Sequence, residues 1–233
     1  AVAATLGAAG IRGLTGFGFG ILLVPILALA LSPVEAVLAI NVMAGLLAFT
    51  EIRMILHEAE RSAFVIGALV VVGTAPGLWL LSITAPDFAR LLIALVALSA
   101  FIAILVPQRG AEQPGRLATT ATGLSAGLLT GFAAMPGPPV VPYYVGRAIP
   151  RATAKASMVG IFGIAAMAGV GSGAAIGVLD WRLVALSLSL FPLVLLGNWA
   201  GSLAFGKVSD TAWRIVVGVG LGAAACAALV RLF

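Results

Sequence analysis

Long hydrophobic runs separated by short breaks dominate the 233-residue chain. Charged residues or prolines mark the breaks, and the runs lack the period-two alternation of membrane-spanning strands. An apolar run of about 20 residues is long enough to cross a bilayer as a helix. The pattern predicts eight helical segments, near residues 2–31, 33–55, 62–82, 87–107, 117–146, 150–177, 182–205 and 210–232.

The composition agrees with a membrane environment. Hydrophobic residues make up 62% of the chain, charged residues make up 9%, and the mean hydropathy is +1.19. A soluble domain of this size needs far more charge on its surface. The sequence therefore predicts an all-α integral membrane protein. Because the first segment lacks the basic start of a cleavable signal peptide, we expect it to belong to the mature fold.

The net charge of +5 does not indicate nucleic-acid binding, because the 13 basic residues are dispersed and mostly flank hydrophobic segments. Membrane topology explains their placement better. The single cysteine, Cys226, excludes an intrachain disulfide, a paired-cysteine redox relay and a multi-cysteine metal site. We predict no cofactor, no metal site and no catalytic residue.

Two segments carry residues that interrupt helices. The first contains the run GFGFG at 16–20, which continues to Pro25, and the second extends from Gly131 to Pro142. Glycine weakens a helix through backbone entropy and proline removes a hydrogen-bond donor, so each predicts a broken or re-entrant helix. Such backbone persists at membrane depth only where it packs in protein or lines a cavity. We expect the two breaks to face each other and form a substrate site.

The two halves of the chain repeat each other. A polar linker at 108–116 separates a first membrane repeat, 1–107, from a second, 117–233. The pairs that share a spacing are Pro25 and Pro33 with Pro142 and Pro150, and Gly73 and Gly77 with Gly197 and Gly201. Duplicated halves are common in transporters, and their binding sites lie at the repeat interface.

The basic residues discriminate between two topologies. If all eight segments cross the membrane, the loops show no charge bias. If the two broken segments enter and leave on one side, most basic residues share the side of the linker, against Arg90, Arg182 and Arg231. Basic residues concentrate on the cytoplasmic side. We therefore expect inverted repeats that each open with a re-entrant helix, a cytoplasmic linker and external termini, with eight kinked full spans as the alternative.

The glycine run leading to Pro25, its altered copy ending at Pro142, the paired glycines and the four-plus-four layout resemble the sulfite exporter TauE/SafE family of membrane transporters. The resemblance covers essentially the whole chain. It implies transport of small sulfur-containing anions, such as sulfite or organosulfonates, across the bacterial cell inner membrane. The second copy departs from the family pattern, because Ala133, Ala134 and a cluster of prolines replace glycines.

An oxyanion needs several hydrogen-bond donors and a positive field, which helix N-termini beside a backbone break can supply. The candidate substrate-binding residues therefore come from the two breaks and the polar positions near them. They are Arg12, Thr15, Gly16, Phe17, Gly18, Phe19, Gly20, Asn41, Thr130, Gly131, Ala134, Met135, Gly137, Tyr143 and Ser157.

Other roles compete with substrate binding at several of these positions. Arg12 either binds the anion or extends to the outer surface, and Asn41 and Ser157 either line the site or join helices. We expect Lys155 to extend to the cytoplasmic face and Glu51 to be solvated near a segment end. Proton coupling and uniport both fit, since no buried carboxylate relay is evident.

Two other functions compete with a carrier. An anion channel with re-entrant loops shares most of the physics of a carrier. An intramembrane hydrolase would need a nucleophile with an aligned base, yet the sole histidine, His57, lies in a charged loop. The predicted partners are the small anion and the lipid bilayer, without nucleic acid, and the glycine-rich helices leave a homodimer open.

Overall fold

The computed structural model describes residues 2–105, 114–145 and 147–203, and every structural statement below concerns those residues. Within them the chain is helical, with ten helices and no strand. The helices are α1 (Val2–Thr15), α2 (Phe19–Leu27), α3 (Pro33–Thr50), α4 (Ile52–Glu58), α5 (Arg61–Ile83), α6 (Pro86–Leu105), α7 (Arg116–Ala133), α8 (Gly137–Tyr144), α9 (Arg151–Ala175) and α10 (Trp181–Leu203).

Four helices of the described ranges, α3, α5, α9 and α10, are long and apolar enough to cross a bilayer. The prediction of an all-helical membrane protein is therefore confirmed. The segment expected at 33–55 is divided, because α3 ends at Thr50 and the short α4 follows. The last predicted segment, 210–232, lies outside the described residues, as do Cys226 and most of the linker.

Local sequence chemistry sets the start of α3. The Ser32 hydroxyl accepts a hydrogen bond from the N–H of Glu35, and the Glu35 carboxylate accepts one from the N–H of Ser32. This reciprocal capping satisfies two donors that a helix start otherwise leaves open. Pro33 occupies the first helical position, where its missing N–H costs nothing. The chain leaving α2 is thus held at a defined entry into α3.

Both glycine- and proline-rich segments contain an interrupted helix. Between α1 and α2, Gly16 and Gly18 have φ angles of 84° and 94°, in the left-handed region. A side chain there costs roughly 1–2 kcal/mol, so glycine is favoured. Between α7 and α8, Ala134 has a φ angle of 51°, in the same region, although it carries a Cβ atom. The sequence therefore locates both interruptions correctly.

Close glycine contacts pair each interrupted helix with a long helix from the other half of the chain. A Cβ added to Gly77 of α5 would collide with the backbone of α7, and one added to Gly131 of α7 would collide with α5. In the same way Gly201 of α10 and Gly13 of α1 leave no room for a side chain between those helices. Small residues let membrane helices approach to backbone contact.

Helices α3 and α9 pack together in antiparallel directions. A Cβ on Gly163, early in α9, would meet Ala48 near the end of α3. A Cβ on Gly173, late in α9, would meet Leu38 near the start of α3. The middle of this pair forms one wall of the site described next.

Candidate functional site

A small cavity lies where the two helix interruptions meet. The backbones are in contact, since a Cβ on Gly20 would collide with the carbonyl of Ala134. The cavity offers about 40 Å³ to the centres of water-sized molecules. One water needs roughly 10–15 Å³ by that measure, so the space suits a few waters or an ion of a few heavy atoms.

Most of the sequence-predicted candidates line this cavity. They are Arg12, Phe17, Gly18, Phe19, Gly20, Asn41, Thr130, Ala134, Met135 and Gly137. The wall is completed by residues that were not among the predicted binding residues, which are Ile21, Ile40, Ala44, Pro136, Phe162 and Ala166. Ile21 and Pro136 belong to the two interrupted segments, whereas the packing of α3 and α9 brings the other four to the cavity.

Helices α2 and α8 both begin at the cavity, with Phe19 and Gly137 in its wall. The first N–H groups of a helix lack partners within the helix, and the helix dipole makes that end positive. The N-termini of α2 and α8 differ in the number of N–H donors that they offer. Pro138 and Pro139 have no N–H, so the first turn of α8 offers fewer donors than that of α2.

Asn41 presents a buried donor at the cavity wall. The residue is 3% exposed, and its Nδ2 has no hydrogen-bond partner within the described ranges. An unsatisfied buried donor costs about 1–3 kcal/mol. The amide also packs directly against Gly169 of α9, where a Cβ would collide with it. Asn41 therefore packs between α3 and α9, and its amide donor has no acceptor within the described ranges.

The two threonines beside the breaks bond to their own helices. The Thr130 hydroxyl donates to the carbonyl of Ala126 at 2.7 Å. The Thr15 hydroxyl donates to the carbonyl of Ile11 at 2.8 Å and accepts from the N–H of Phe17 at 3.0 Å. Thr15 thereby shapes the break without lining the cavity, whereas Thr130 does line it.

Four further candidates lie away from the cavity wall. Gly16 packs against the side chain of Lys155, and Gly131 packs against the backbone of α5. The Ser157 hydroxyl accepts a hydrogen bond of 2.8 Å from the N–H of Glu60, at the start of α5. The hydroxyl of Tyr143 shares a 3.0 Å hydrogen bond with that of Thr119. These contacts connect helices around the site.

A buried ionic network begins at the cavity with Arg12, which is 3% exposed. Its guanidinium forms a 2.9 Å ion pair with the Oε2 of Glu51 and donates to the Oδ1 of Asn198 at 2.9 Å. The Nδ2 of Asn198 donates to the other carboxylate oxygen of Glu51 at 3.2 Å. Arg12 therefore does not extend to the surface. The expectation that Glu51 is solvated is wrong, because its side chain is only 16% exposed.

Lys155 belongs to the same region and is 7% exposed. Its Nζ donates to the carbonyl of Gly13 at 2.7 Å. That carbonyl lies in the last turn of α1, where carbonyls lack partners within the helix and a cation is favoured by the helix dipole. The expectation that Lys155 extends to the membrane surface is wrong, because the end of α1 holds it inside.

Glu51, Asn198 and Lys155 were not predicted as site residues, although one signal pointed to a carboxylate partner for Arg12 and another to Asn198. An arginine inside a membrane segment needs a counterion, so Arg12 required a carboxylate partner. Asn198 adjoins Gly197, one of the residues at which α10 closely approaches α1. A polar side chain beside such a close contact is a candidate for bonding across it.

A second polar cluster joins the end of α8 to the start of α5. Arg147 makes two hydrogen bonds to the carboxylate of Glu60, of 2.8 and 3.0 Å. Its guanidinium carbon lies 5.5 Å from the ring centre of Tyr143 and 5.7 Å from that of Tyr144. The hydrogen bonds to Glu60 raise the pKa of Arg147, which therefore stays charged. The Tyr144 hydroxyl bonds with that of Ser62 at 2.7 Å.

Apolar helices long enough to span a bilayer, and a buried cavity formed by interrupted helices, are the construction of a multi-pass membrane transporter. A scan against protein-family models matches the one described as Sulfite exporter TauE/SafE over residues 1–228. The chain belongs to the sulfite exporter TauE/SafE family, and is a transporter and not an enzyme. Searches of the curated proteins and of the solved structures found no match.

Proposed function

We propose that the chain exports small sulfur-containing oxyanions, such as sulfite or organosulfonates, across the bacterial inner membrane. The anion is held in the cavity between the two helix interruptions. The observation that carries this proposal is the convergence of three kinds of anion-binding group on one cavity. They are the N-terminus of α2, the unpartnered Nδ2 of Asn41 and the charge of Arg12.

The size of the cavity favours the smallest members of this substrate class. About 40 Å³ accommodates an ion of a few heavy atoms, such as sulfite with its one sulfur and three oxygens. A larger organosulfonate requires the cavity to widen. Transport itself requires the cavity to open to either side in turn, so this volume is a lower bound on what the site accepts.

Contacts across the second interruption support a re-entrant segment. Thr119 lies in the first turn of α7, and Tyr143 lies at the end of α8, yet their hydroxyls are 3.0 Å apart. A chain that continued straight through the membrane would separate these residues by the length of both helices. We propose that α7 enters the membrane, stops at the break and that α8 returns to the same side.

The helix directions support inverted repeats. Because α3 and α9 are antiparallel and each leads through a short connection to the next long helix, α5 and α10 run in opposite directions. These two helices carry the paired glycines Gly73 and Gly77, and Gly197 and Gly201, that define the predicted repeat. With basic residues on the cytoplasmic side, linker 108–116 is cytoplasmic.

Accessibility of single cysteines to a membrane-impermeant label tests this topology. In a Cys226→Ser background, cysteines replace Ser32 or Ala148, both exposed at helix connections. Inverted re-entrant segments place the two cysteines on opposite sides of the membrane. Labelling of both from the same side would refute the proposal.

Transport by the purified protein in liposomes tests the function. Radiolabelled sulfite, sulfoacetate, hypotaurine and sulfate are offered in turn. A carrier saturates with substrate and shows counterflow, whereas a channel shows neither at modest concentrations. If none of these solutes moves, an anion transporter with this specificity is refuted.

A further inference from the structure

A second cavity, the α9 crevice, lies between α3, α4, α5 and α9 and offers about 350 Å³ to the centres of water-sized molecules. Helix α9 forms its floor, because Gly163 of α9 packs on Ala48 of α3. On the other side, Ile164 of α9 packs against Gly67 of α5. The walls are therefore α3 and α4 on one side and α5 on the other. No described residue lines both this crevice and the anion cavity, so the two spaces are separate.

The walls of the crevice are apolar. Within the described residues, only glycine and apolar side chains line it. Several of these side chains are exposed at its rim, which are Phe49, Leu56, Phe64, Val71 and Met167. Because α3, α5 and α9 are long and apolar enough to span the bilayer, this rim faces lipid hydrocarbon. Water would find no hydrogen-bond partner among these side chains, whereas a hydrocarbon chain matches them.

The length of the crevice matches one leaflet of the bilayer. Its shallow end lies at α4 and the start of α5, and its deep end lies at Gly45 and Val71. Its lining extends along α5 from Ala63 to Val71, a length of about 12 Å. Half of the hydrocarbon core of a bilayer is about 15 Å thick. One acyl chain of a phospholipid therefore fits along α9, with its headgroup at α4.

Two basic residues lie at the shallow end. Arg53 precedes Leu56 by one turn of α4, and Arg61 precedes Phe64 by one turn of α5. Residues spaced in this way share a helix face, so each arginine adjoins a side chain of the rim. Both arginines are exposed, and the ion pairs of the described residues involve neither of them. Arginines beside the hydrocarbon attract anionic lipid headgroups.

The carboxylates of the same connection leave this positive charge in place. Glu51 is paired with Arg12. Glu60 is paired with Arg147. Glu58 is the remaining carboxylate, and it is exposed to solvent. The charge at the shallow end therefore complements a negatively charged headgroup.

We propose that the α9 crevice binds one acyl chain of an anionic phospholipid, whose phosphate lies against Arg53 and Arg61. The apolar walls bind the chain, and the guanidinium groups bind phosphate oxygens through their N–H donors. The bound chain contacts α3 and α4 on one side and α5 on the other, so the lipid becomes part of the packing between these helices.

Photolabelling locates the chain. The purified protein in detergent is mixed with phosphatidylglycerol that carries a diazirine on one acyl chain, and the labelled residues are mapped by mass spectrometry. We expect the label on the crevice residues of α4, α5 and α9, in excess over the exposed apolar residues Leu196 and Trp199 of α10. Equal labelling of the crevice and of α10 overturns the proposal.

Filling the deep end of the crevice tests the same contact. Ala168→Phe should reduce crevice labelling by about tenfold, which is what the loss of two buried CH₂ groups costs. Ala174→Phe places the same side chain at an exposed position of α9 outside the crevice and should leave labelling unchanged. A folded Ala168→Phe protein with wild-type labelling of the crevice overturns the proposal.

Headgroup selectivity tests the arginines and does not depend on the filling variant. Binding of phosphatidylglycerol and of phosphatidylcholine with identical chains is compared by native mass spectrometry. One basic residue near an anionic surface strengthens binding about fivefold, so we expect the wild-type protein to prefer phosphatidylglycerol by at least about tenfold. The double variant Arg53→Gln, Arg61→Gln should bind both lipids equally, whereas Arg116→Gln, at an exposed helix start, should keep the preference. Equal binding by the wild-type protein, or an unchanged preference in the double variant, overturns the proposal.

A second copy of the chain is the alternative occupant of the crevice. If Ala168→Phe dissociates a wild-type dimer and leaves the phosphatidylglycerol label unchanged, the crevice is a protein interface and the proposal is overturned. If Ala168→Phe keeps the wild-type oligomeric state in gel filtration and loses the crevice label, the lipid site is supported.

Discussion

The contact between the two helix interruptions gives a direct test of the site. Gly20 lies in the first turn of α2, where an alanine would ordinarily favour the helix by about 0.8–1.0 kcal/mol. The added Cβ would collide with the carbonyl of Ala134 at the other break. Forcing extra volume into a packed interior costs about 1–3 kcal/mol. The Gly20→Ala variant should therefore range from near neutral to about 2 kcal/mol less stable.

Gly7→Ala provides the matched control, because Gly7 lies in α1 and a Cβ there would meet no atom within 4 Å. This variant gains the helix preference without a collision. The two variants should differ in stability by about 1–3 kcal/mol, measured by unfolding of the purified protein in detergent. Liposome transport should fall strongly in Gly20→Ala, since the collision lies in the wall of the cavity, and should be unchanged in Gly7→Ala.

The combination of results decides the interpretation. Gly20→Ala that transports normally and matches the stability of Gly7→Ala would show that the two breaks are not in functional contact. A loss of stability without loss of transport would show that the contact serves packing alone. Loss of transport in a protein that still folds supports a substrate site between the breaks.

Three further variants test single side chains. Asn41→Leu removes an unpartnered donor, so thermal unfolding should show stability kept or raised, by up to about 1–3 kcal/mol, while liposome transport falls. Arg12→Ala breaks the buried ion pair with Glu51 and should cost about 3–5 kcal/mol in denaturant unfolding, whereas Arg53→Ala, at an exposed position, should cost less than about 0.5 kcal/mol. Arg147→Ala should cost less than Arg12→Ala in the same measurement, because its Glu60 partner is 32% exposed and water can solvate the remaining carboxylate.

The interrupted helices could be predicted because their causes are local. Glycines at 16–20 permit positive φ angles, and prolines remove donors, whatever the rest of the chain does. The break between α3 and α4 contains neither residue type, and the hydrophobic pattern alone did not reveal it. The end of α3 at Thr50 instead coincides with Glu51 turning towards Arg12, a contact made with a helix distant in sequence.

Only the part of the site that the two helix breaks form could be predicted from the sequence. Residues of the two breaks line the cavity because it lies where the breaks meet, whereas Ile40 and Phe162 reach it through the packing of α3 and α9. The partner of Arg12 was not identifiable, since Glu51, Glu58 and Glu60 all follow the same hydrophobic segment. Only the fold shows which of these carboxylates faces α1.

The predicted repeats and the tightly packed helix pairs do not coincide, and this limits how the protein can move. Helix α1 of the first half is bound by backbone contact to α10 of the second, and α7 of the second half to α5 of the first. A rigid rotation of one half against the other would have to separate both pairs. Each break instead adjoins a helix pair with one member from each half of the chain, α1 with α10 or α5 with α7. A movement that opens the cavity while preserving the glycine contacts must displace one of these helix pairs relative to the other. The contact between Gly20 and Ala134 lies where the two breaks that follow α1 and α7 meet.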